Sequence, residues 1–333
     1  MCTAGPLIDS FGRVHTDLRV SVTDRCNMRC FYCMPTGGVA FKPHDAILTF
    51  EEIERFVRVA VRLGIRRVRL TGGEPLVRKR IRRLVEMVAA VPGIDDLAMT
   101  TNGILLGQHA EALRAAGIQR LNVSLDTLDP RRFEEIARRD ELPQVLSGIE
   151  AACRAGFRQV KLNVVAIRGR TEADVVPLAR FALSRGLELR FIEFMPLDGD
   201  DRWRADMVLP APEILRRLAD GIGPLERVVE PDSHSPATLY RFVEGGGRIG
   251  LIRTVSRPFC DRCSRLRLTA EGKLRNCLFS REEWDVQALL RSGGSNEELA
   301  ALVRAAVGAK RECRGTDAGE LARADRPMYQ IGG

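Results

Sequence analysis

The chain has 333 residues, and 52 basic against 44 acidic side chains leave a net charge of +8. With 45% hydrophobic and 29% charged residues, it carries enough apolar surface to offset chain entropy, which excludes intrinsic disorder. No apolar run approaches the ~20 residues of a bilayer span and residues 1–13 lack the basic-then-apolar order of a secretory leader, so a cytoplasmic location with no membrane attachment is expected.

From Asp17 to about Phe194, short apolar runs alternate with helical patterns. Strands are predicted at Leu18–Val22, Val68–Leu70, Leu97–Thr100, Leu121–Leu125, Val160–Ile167 and Leu187–Phe194. Amphipathic helices are predicted at Thr49–Leu63, Ile81–Ala90, Leu105–Ala115 and Ala173–Ser184. Thr49 and Glu52 have the spacing of a capping box, and Gly64, Gly117, Gly156 and Gly186 stand where helices end. Six strand–helix units in series imply an α/β fold with a parallel, barrel-like sheet and its site at the C-terminal strand ends. Eight units close a barrel, so a partial (βα)6 TIM-like barrel is expected over residues 1–200.

The pattern breaks at the polar stretch Leu197–Asp206. Residues 201–333 then read as a smaller C-terminal α+β domain. A helix is predicted near Pro210–Ala219, strands near Tyr240–Val243 and Ile249–Val255, and a hairpin turning at Ala270–Lys273. Two helical stretches follow between Glu282 and Ala306.

Nine cysteines are many for a reducing compartment, where clustered thiols mean metal or catalysis more often than disulfides. Cys2, Cys153 and Cys313 are scattered, and Cys153 reads as a small buried hydrophobe on a helix. Cys26, Cys30 and Cys33 form a C-x3-C-x2-C loop just after the first strand. Three thiolates so close can wrap one face of a cubane cluster and leave its fourth iron open to chemistry. A structural zinc site wants four closed ligands, and His15 and His44 lie well outside the group.

This loop, with Tyr32 before its last cysteine, resembles the signature of the radical S-adenosylmethionine (SAM) superfamily. The resemblance implies that the open iron chelates SAM and that an electron from the cluster cleaves it to a 5′-deoxyadenosyl radical. Gly72-Gly73-Glu74-Pro75, after the second strand, falls where that superfamily binds the SAM amino group. Its glycines allow close backbone approach.

Cys260, Cys263 and Cys277 form a second group across the hairpin, again three thiolates with no evident fourth ligand. The remaining histidines, His109 and His234, do not complete the set. A second cluster with a free iron accounts for three ligands, and structural zinc is the alternative.

Only five of the 52 cations are lysines, and several cations interrupt predicted strands. Arg19, Arg69, Lys161 and Arg190 each sit between two apolar residues that pack on helices, so each is expected to face the barrel lumen. Four unpaired buried cations would be costly unless an anion enters, and a polyphosphate fits that role. No G-x4-G-K-S/T loop is present, so side chains would have to grip it.

Over nearly its whole length the chain resembles the GTP 3′,8-cyclase family of molybdenum cofactor biosynthesis. The matching stretches are Asp17–Cys26, Thr100–Gly103, Asn122–Asp126, Arg190–Met195, Phe259–Arg267 and the terminal Gly332-Gly333. Ser264 and Ser235 depart from the usual Asn and Gly. The resemblance implies a lyase that uses SAM and two 4Fe–4S clusters. It would convert GTP to (8S)-3′,8-cyclo-7,8-dihydroguanosine 5′-triphosphate for a downstream cyclic pyranopterin monophosphate synthase. It assigns Cys26, Cys30 and Cys33 to the SAM cluster and Cys260, Cys263 and Cys277 to the substrate cluster. Tyr32, Gly73, Ser124 and Met195 would line SAM. Arg19, Arg69, Thr100, Lys161, Arg265 and Arg267 would contact GTP, and the lumen argument alone adds Arg190. The tail glycines, Gly332 and Gly333, would reach the reacting centre. The family also implies a homodimer, with the electron donor unknown.

Two other readings compete. A peptide-modifying radical SAM protein would not need a ring of lumen cations. A non-enzymatic iron–sulfur or zinc protein on nucleic acid should show aromatic-interleaved basic stretches or paired zinc knuckles, which the sequence lacks.

Overall fold

Alternation of residue character sets the two faces of each barrel strand. In β1 (Asp17–Ser21), Leu18 and Val20 are buried while Asp17 and Arg19 are half-buried, and β2 (Arg67–Thr71) repeats the pattern with Val68 and Leu70. The apolar set packs under α1 (Phe50–Arg62) and α2 (Ile81–Ala89), which contribute Ile53, Phe56, Val57, Leu84 and Val88 to one continuous core. Each such side chain contributes roughly 1.5–3 kcal/mol on burial, so the outer faces hold the barrel and leave the inner faces to polar residues. The capping box of α1 forms as its sequence requires: Thr49 accepts from Glu52 N, and Glu52 accepts from Thr49 N.

The computed structural model describes residues 5–229, 235–313 and 323–332. Cys2, His234 and Gly333 therefore lie outside the described residues. The barrel continues through β3 (Asp96–Thr101), α3 (Leu106–Ala116), β4 (Arg120–Ser124), α4 (Pro130–Ala137) and α5 (Leu142–Arg154). It ends with β5 (Gln159–Ala166), α6 (Val175–Leu183) and β6 (Glu188–Glu193). All six strands run parallel in sequence order. Gly64, Gly117, Gly156 and Gly186 all have left-handed φ, +107°, +117°, +70° and +64°, as helix-terminating glycines do. Cys153 is a correction: it lies on the exposed face of α5, not in the core.

The later elements are α7 (Ala211–Gly221), β7 (Leu225–Val228), β8 (Thr238–Phe242), β9 (Gly246–Ile252), β10 (Arg265–Leu268), β11 (Lys273–Arg275) and β12 (Trp284–Asp285). They are followed by α8 (Val286–Arg291), α9 (Asn296–Gly308) and α10 (Met328–Ile331). Their strands extend the barrel sheet at both edges: β10 pairs parallel with β1, and β9 pairs parallel with β6. The twelve strands form a single sheet whose outer members are β12 and β7. Among the described residues no helix is long and apolar enough to cross a membrane.

Ion pairs fasten the C-terminal segment to this hairpin. Arg275, fully buried, pairs with Glu283 at 2.5 Å and Asp325 at 2.8 Å. Arg326 pairs with Glu271 and, at 2.7 Å, with Glu283. These contacts aim α10 and Gly332 into the barrel.

Candidate active site

The C-terminal strand ends surround a cavity of about 340 Å³, within the usual range for ligand sites. All six clustered cysteines line it: Cys26, Cys30 and Cys33 from the loop after β1, Cys260 and Cys263 from the turn before β10, and Cys277 just after β11. The pairing of β10 with β1 brings the two groups to one wall. Among the described residues no three such donors close tightly enough to hold a single metal ion. Burial pushes the Cys33 thiol up to about 12 and Cys26 to about 11, and it also raises Cys30 well above the usual thiol range. Burial also opposes ionisation of Cys263, but the Lys310 ammonium and the Arg265 guanidinium bring that thiol down to about 6.

The carboxylates that line the cavity are already engaged. Glu74 accepts from Thr101 Oγ1 at 2.8 Å and from Asn102 N at 2.7 Å, and burial raises its pKa to about 7. Asp126 accepts from Tyr32 Oη at 2.6 Å and from Val165 N at 2.8 Å, with burial raising it to about 6. Glu193 accepts from Ser256 Oγ and from the amides of Val255 and Ser256. No histidine lines the cavity among the described residues. Each cysteine group thus presents three soft sulfur donors and no fourth protein ligand, a donor set that fits an iron–sulfur cluster with one open iron.

Tyr32, Gly73, Ser124 and Met195 all line the cavity. A Cβ on Gly73 would sit 2.5 Å from Arg25 O, so no other residue fits there. The Gly73 amide donates to Thr23 O at 2.7 Å, which holds the turn after β2 against the cysteine loop. Asn102, whose amide is held by Glu74, donates through Nδ2 to Cys26 Sγ at 3.7 Å.

Arg19, Arg69, Thr100, Arg190, Arg265 and Arg267 also line the cavity. The parallel register places Arg267, Arg19 and Arg69 side by side on β10, β1 and β2. Burial, with Arg267 and Arg69 as near neighbours, holds the Arg19 guanidinium well below its usual range. It brings Arg69 to about 10 and Arg267 to about 9. Arg69 Nε and Arg265 Nη2 are buried without a hydrogen-bond partner.

Two of the four expected free cations are corrected. Glu188 Oε1 lies 2.5 Å from Arg190 Nε and 3.4 Å from Lys161 Nζ, so both side chains are paired. Lys161 faces a second cavity, of about 370 Å³, at the N-terminal strand ends. Arg69 and Arg190 line both cavities and stand between them in the lumen. Sequence reasoning missed Glu188, although its place two residues before Arg190 on one strand puts both on the same face. It also gave no role to Lys310 or Arg13, whose partners are distant in sequence.

Met328 and Tyr329 of the tail line the first cavity. Gly332 packs against Ser21 and Thr71, where an added Cβ would meet Ser21 Cβ at 2.9 Å. Ser264 donates to Asp17 and so fixes the start of β10 against β1.

A parallel barrel bearing a C-x3-C-x2-C loop at its C-terminal face defines a radical SAM protein, and residues 20–182 match the radical SAM superfamily. Residues 187–315 match the Molybdenum Cofactor Synthesis C family. The chain is 48% identical to a GTP 3′,8-cyclase of Rhodopirellula baltica, covering 98% of this chain and 92% of the relative. It is 47% identical to one of Pelotomaculum thermopropionicum, covering 98% and 99%. The chain belongs to the GTP 3′,8-cyclase family. Among solved structures, Streptococcus suis SuiB bound to precursor peptide SuiA shares the fold with a TM-score of 0.63 and 14% identity, over 95% of this chain and 76% of that one. Methylornithine synthase (PylB) matches with a TM-score of 0.51 and 19% identity, over 62% of each chain.

Proposed function

We propose that the chain is a radical SAM lyase that converts GTP to (8S)-3′,8-cyclo-7,8-dihydroguanosine 5′-triphosphate, the first step of molybdenum cofactor biosynthesis. The observation that carries this reading is the opening of both cysteine groups and the row Arg267–Arg19–Arg69 into one cavity.

Cys26, Cys30 and Cys33 would hold the first 4Fe–4S cluster, and Cys260, Cys263 and Cys277 a second one on the substrate side. When bound, the first cluster would supply the electron for reductive cleavage of SAM, and so the radical chemistry directed at the 3′ position of the GTP ribose. The chain's own residues place the two reactants. The Gly73 carbonyl meets the SAM amino group, while Tyr32, Ser124 and Met195 surround the rest of the cofactor. Arg19, Arg69, Arg265 and Arg267 take the triphosphate, where guanidinium forks suit phosphate oxygens. Thr100 lies beside the nucleotide. Lys161 and Arg190 reach the phosphates by exchanging Glu188 for them. This layout sets the guanine toward the second cysteine group and the phosphates toward the lumen, so the ribose lies between. Gly332, held by Arg267, closes the site beside the ribose. Thiol ligands of this kind suit a reducing, cytoplasmic compartment. The product passes to a cyclic pyranopterin monophosphate synthase, and the working unit is a homodimer.

The test is anaerobic reconstitution followed by incubation with SAM, a reductant and each nucleoside triphosphate in turn. 5′-Deoxyadenosine and a cyclised nucleotide are expected with GTP alone. Equal turnover with every triphosphate, or with none, overturns the assignment.

A further inference from the structure

The second cysteine group has a cation built behind it. Lys310 follows α9, is 5% exposed, and its ammonium has three N–H donors. One donates to Asn276 O at 2.6 Å, one to Arg265 O at 3.0 Å, and one to Cys263 Sγ at 3.7 Å. Every donor is therefore used inside the protein. Asn276 immediately precedes Cys277 and Arg265 opens β10 two residues after Cys263, so one ammonium ties together the two legs of the hairpin that present these thiols.

The backbone of the third cysteine is held from the other side of the same segment. Arg13 Nη1 donates to Cys260 O at 2.7 Å and to Glu312 O at 2.8 Å, and Nη2 donates to Arg311 O at 2.7 Å. Asp9 fixes Arg13 through a 2.6 Å bond to Nε. The chain just after Lys310 is thereby clamped to the turn that carries Cys260.

The charge balance gives this geometry a purpose. The sulfur atoms facing Lys310 are those of Cys263 and Cys277, while Arg13 and Arg265 add like charge. Among the described residues no carboxylate forms an ion pair with it. A buried ammonium without a counter-charge is costly, and neutral thiols would not offset it. Anionic sulfur, as in thiolates bound to a cluster, would.

We propose that Lys310 is a positioning residue that holds the second cysteine group in its ligating arrangement and stabilises the negative charge of the cluster bound there. The proposal rests on the second-cluster reading. A cation hydrogen-bonded to a ligand sulfur favours the more negative, reduced state, because sulfur hydrogen bonds and nearby charge set cluster potentials.

The test uses the full-length, two-cluster protein and its Lys310→Met, Lys310→Gln and Lys310→Arg variants. Iron is counted, and each cluster is followed by electron paramagnetic resonance during an anaerobic redox titration. Lys310→Met should shift the reduction equilibrium of the second cluster at least tenfold toward the oxidised form, ~59 mV for a one-electron couple, and leave the first cluster unmoved. Lys310→Gln should fall between, and Lys310→Arg should stay near the parent. If Lys310→Met fails to load the second cluster, the comparison of Lys310→Gln with Lys310→Arg carries the test. A parental potential in the uncharged variants, or equal loss of the cluster in all three, overturns the proposal. A parent protein that binds about four irons per chain rather than about eight overturns the second-cluster reading instead.

Discussion

Arg267 Nη1 donates to the carbonyl of Gly332 at 2.6 Å, so a cation in the lumen row holds the end of the chain. Chain ends normally fray. Here Ile331 is buried at 1% exposure, Gly332 takes a φ of +89°, and Asp325 and Arg326 pin the approach through Arg275, Glu271 and Glu283.

Deleting Gly332 and Gly333 should leave the fold, both clusters and most of the GTP affinity in place. Cyclisation should fall about 100-fold, because small misplacements are expensive in a positioned reaction. Single-turnover rates with reconstituted protein decide the matter. A parental rate would make the tail dispensable.

The two cysteine groups should separate by variant. Cys33→Ser should remove about four irons per chain and abolish 5′-deoxyadenosine formation. Cys277→Ser should keep SAM cleavage and lose GTP cyclisation, since it disturbs only the substrate side of the cavity. Iron analysis alongside chromatography of both products reads the outcome. Cleavage retained in Cys33→Ser, or normal cyclisation in Cys277→Ser, contradicts the division of labour.

The barrel was legible because each strand announces its own faces. Leu18 and Val20 against Arg19, or Val68 and Leu70 against Arg69, tell inside from outside without knowledge of any partner. The first cysteine group was legible because its three ligands fall within eight residues, and the second because Cys260 and Cys263 stand close together with Cys277 across a predicted hairpin. What the sequence hides is pairing at a distance. Nothing in Arg265–Leu268 says that this strand lies parallel to β1, nor in Gly246–Ile252 that it lies beside β6. Lys310 reads as one surface lysine among five until the fold brings it to Cys263. The lumen cations were found, but the pairing of Lys161 and Arg190 with Glu188 was not, because strand alternation reports which face a residue occupies and not which neighbour it meets.

Lys161 should make GTP binding depend on pH. Burial, with Arg190 adding and Glu188 opposing, pushes its ammonium down to about 7. Above that pH the free protein holds a neutral lysine, and a triphosphate must draw a proton back on binding. GTP affinity should therefore fall as pH rises through about 7, by up to ~10-fold per unit. Calorimetry in buffers of different ionisation enthalpy should show proton uptake near pH 8. Lys161→Arg, whose cation does not titrate, should lose that uptake. Equal uptake in parent and variant would assign the effect to the nucleotide itself.

On the proposed reading, Glu188 competes with the phosphates for Lys161 and Arg190. Its carboxylate neutralises Arg190 and Lys161 while no nucleotide is present, and it also accepts from Gln159 Nε2 at 2.8 Å. Replacing it by Gln keeps the shape and that last contact but leaves the buried Arg190 guanidinium, and Lys161 wherever it is protonated, without a counter-charge. Breaking a buried pair by removing one partner costs about 3–5 kcal/mol. The nucleotide-free Glu188→Gln protein should therefore melt at a lower temperature than the parent. GTP would then supply the missing negative charge, so its binding should raise the melting temperature more in the variant than in the parent, with a tighter Kd. Guanosine, which carries no phosphate, should give neither gain. Thermal shifts with GTP, guanosine and inorganic triphosphate distinguish these outcomes. An equal GTP-induced shift in parent and variant would mean that the phosphates never displace Glu188 from Lys161 and Arg190.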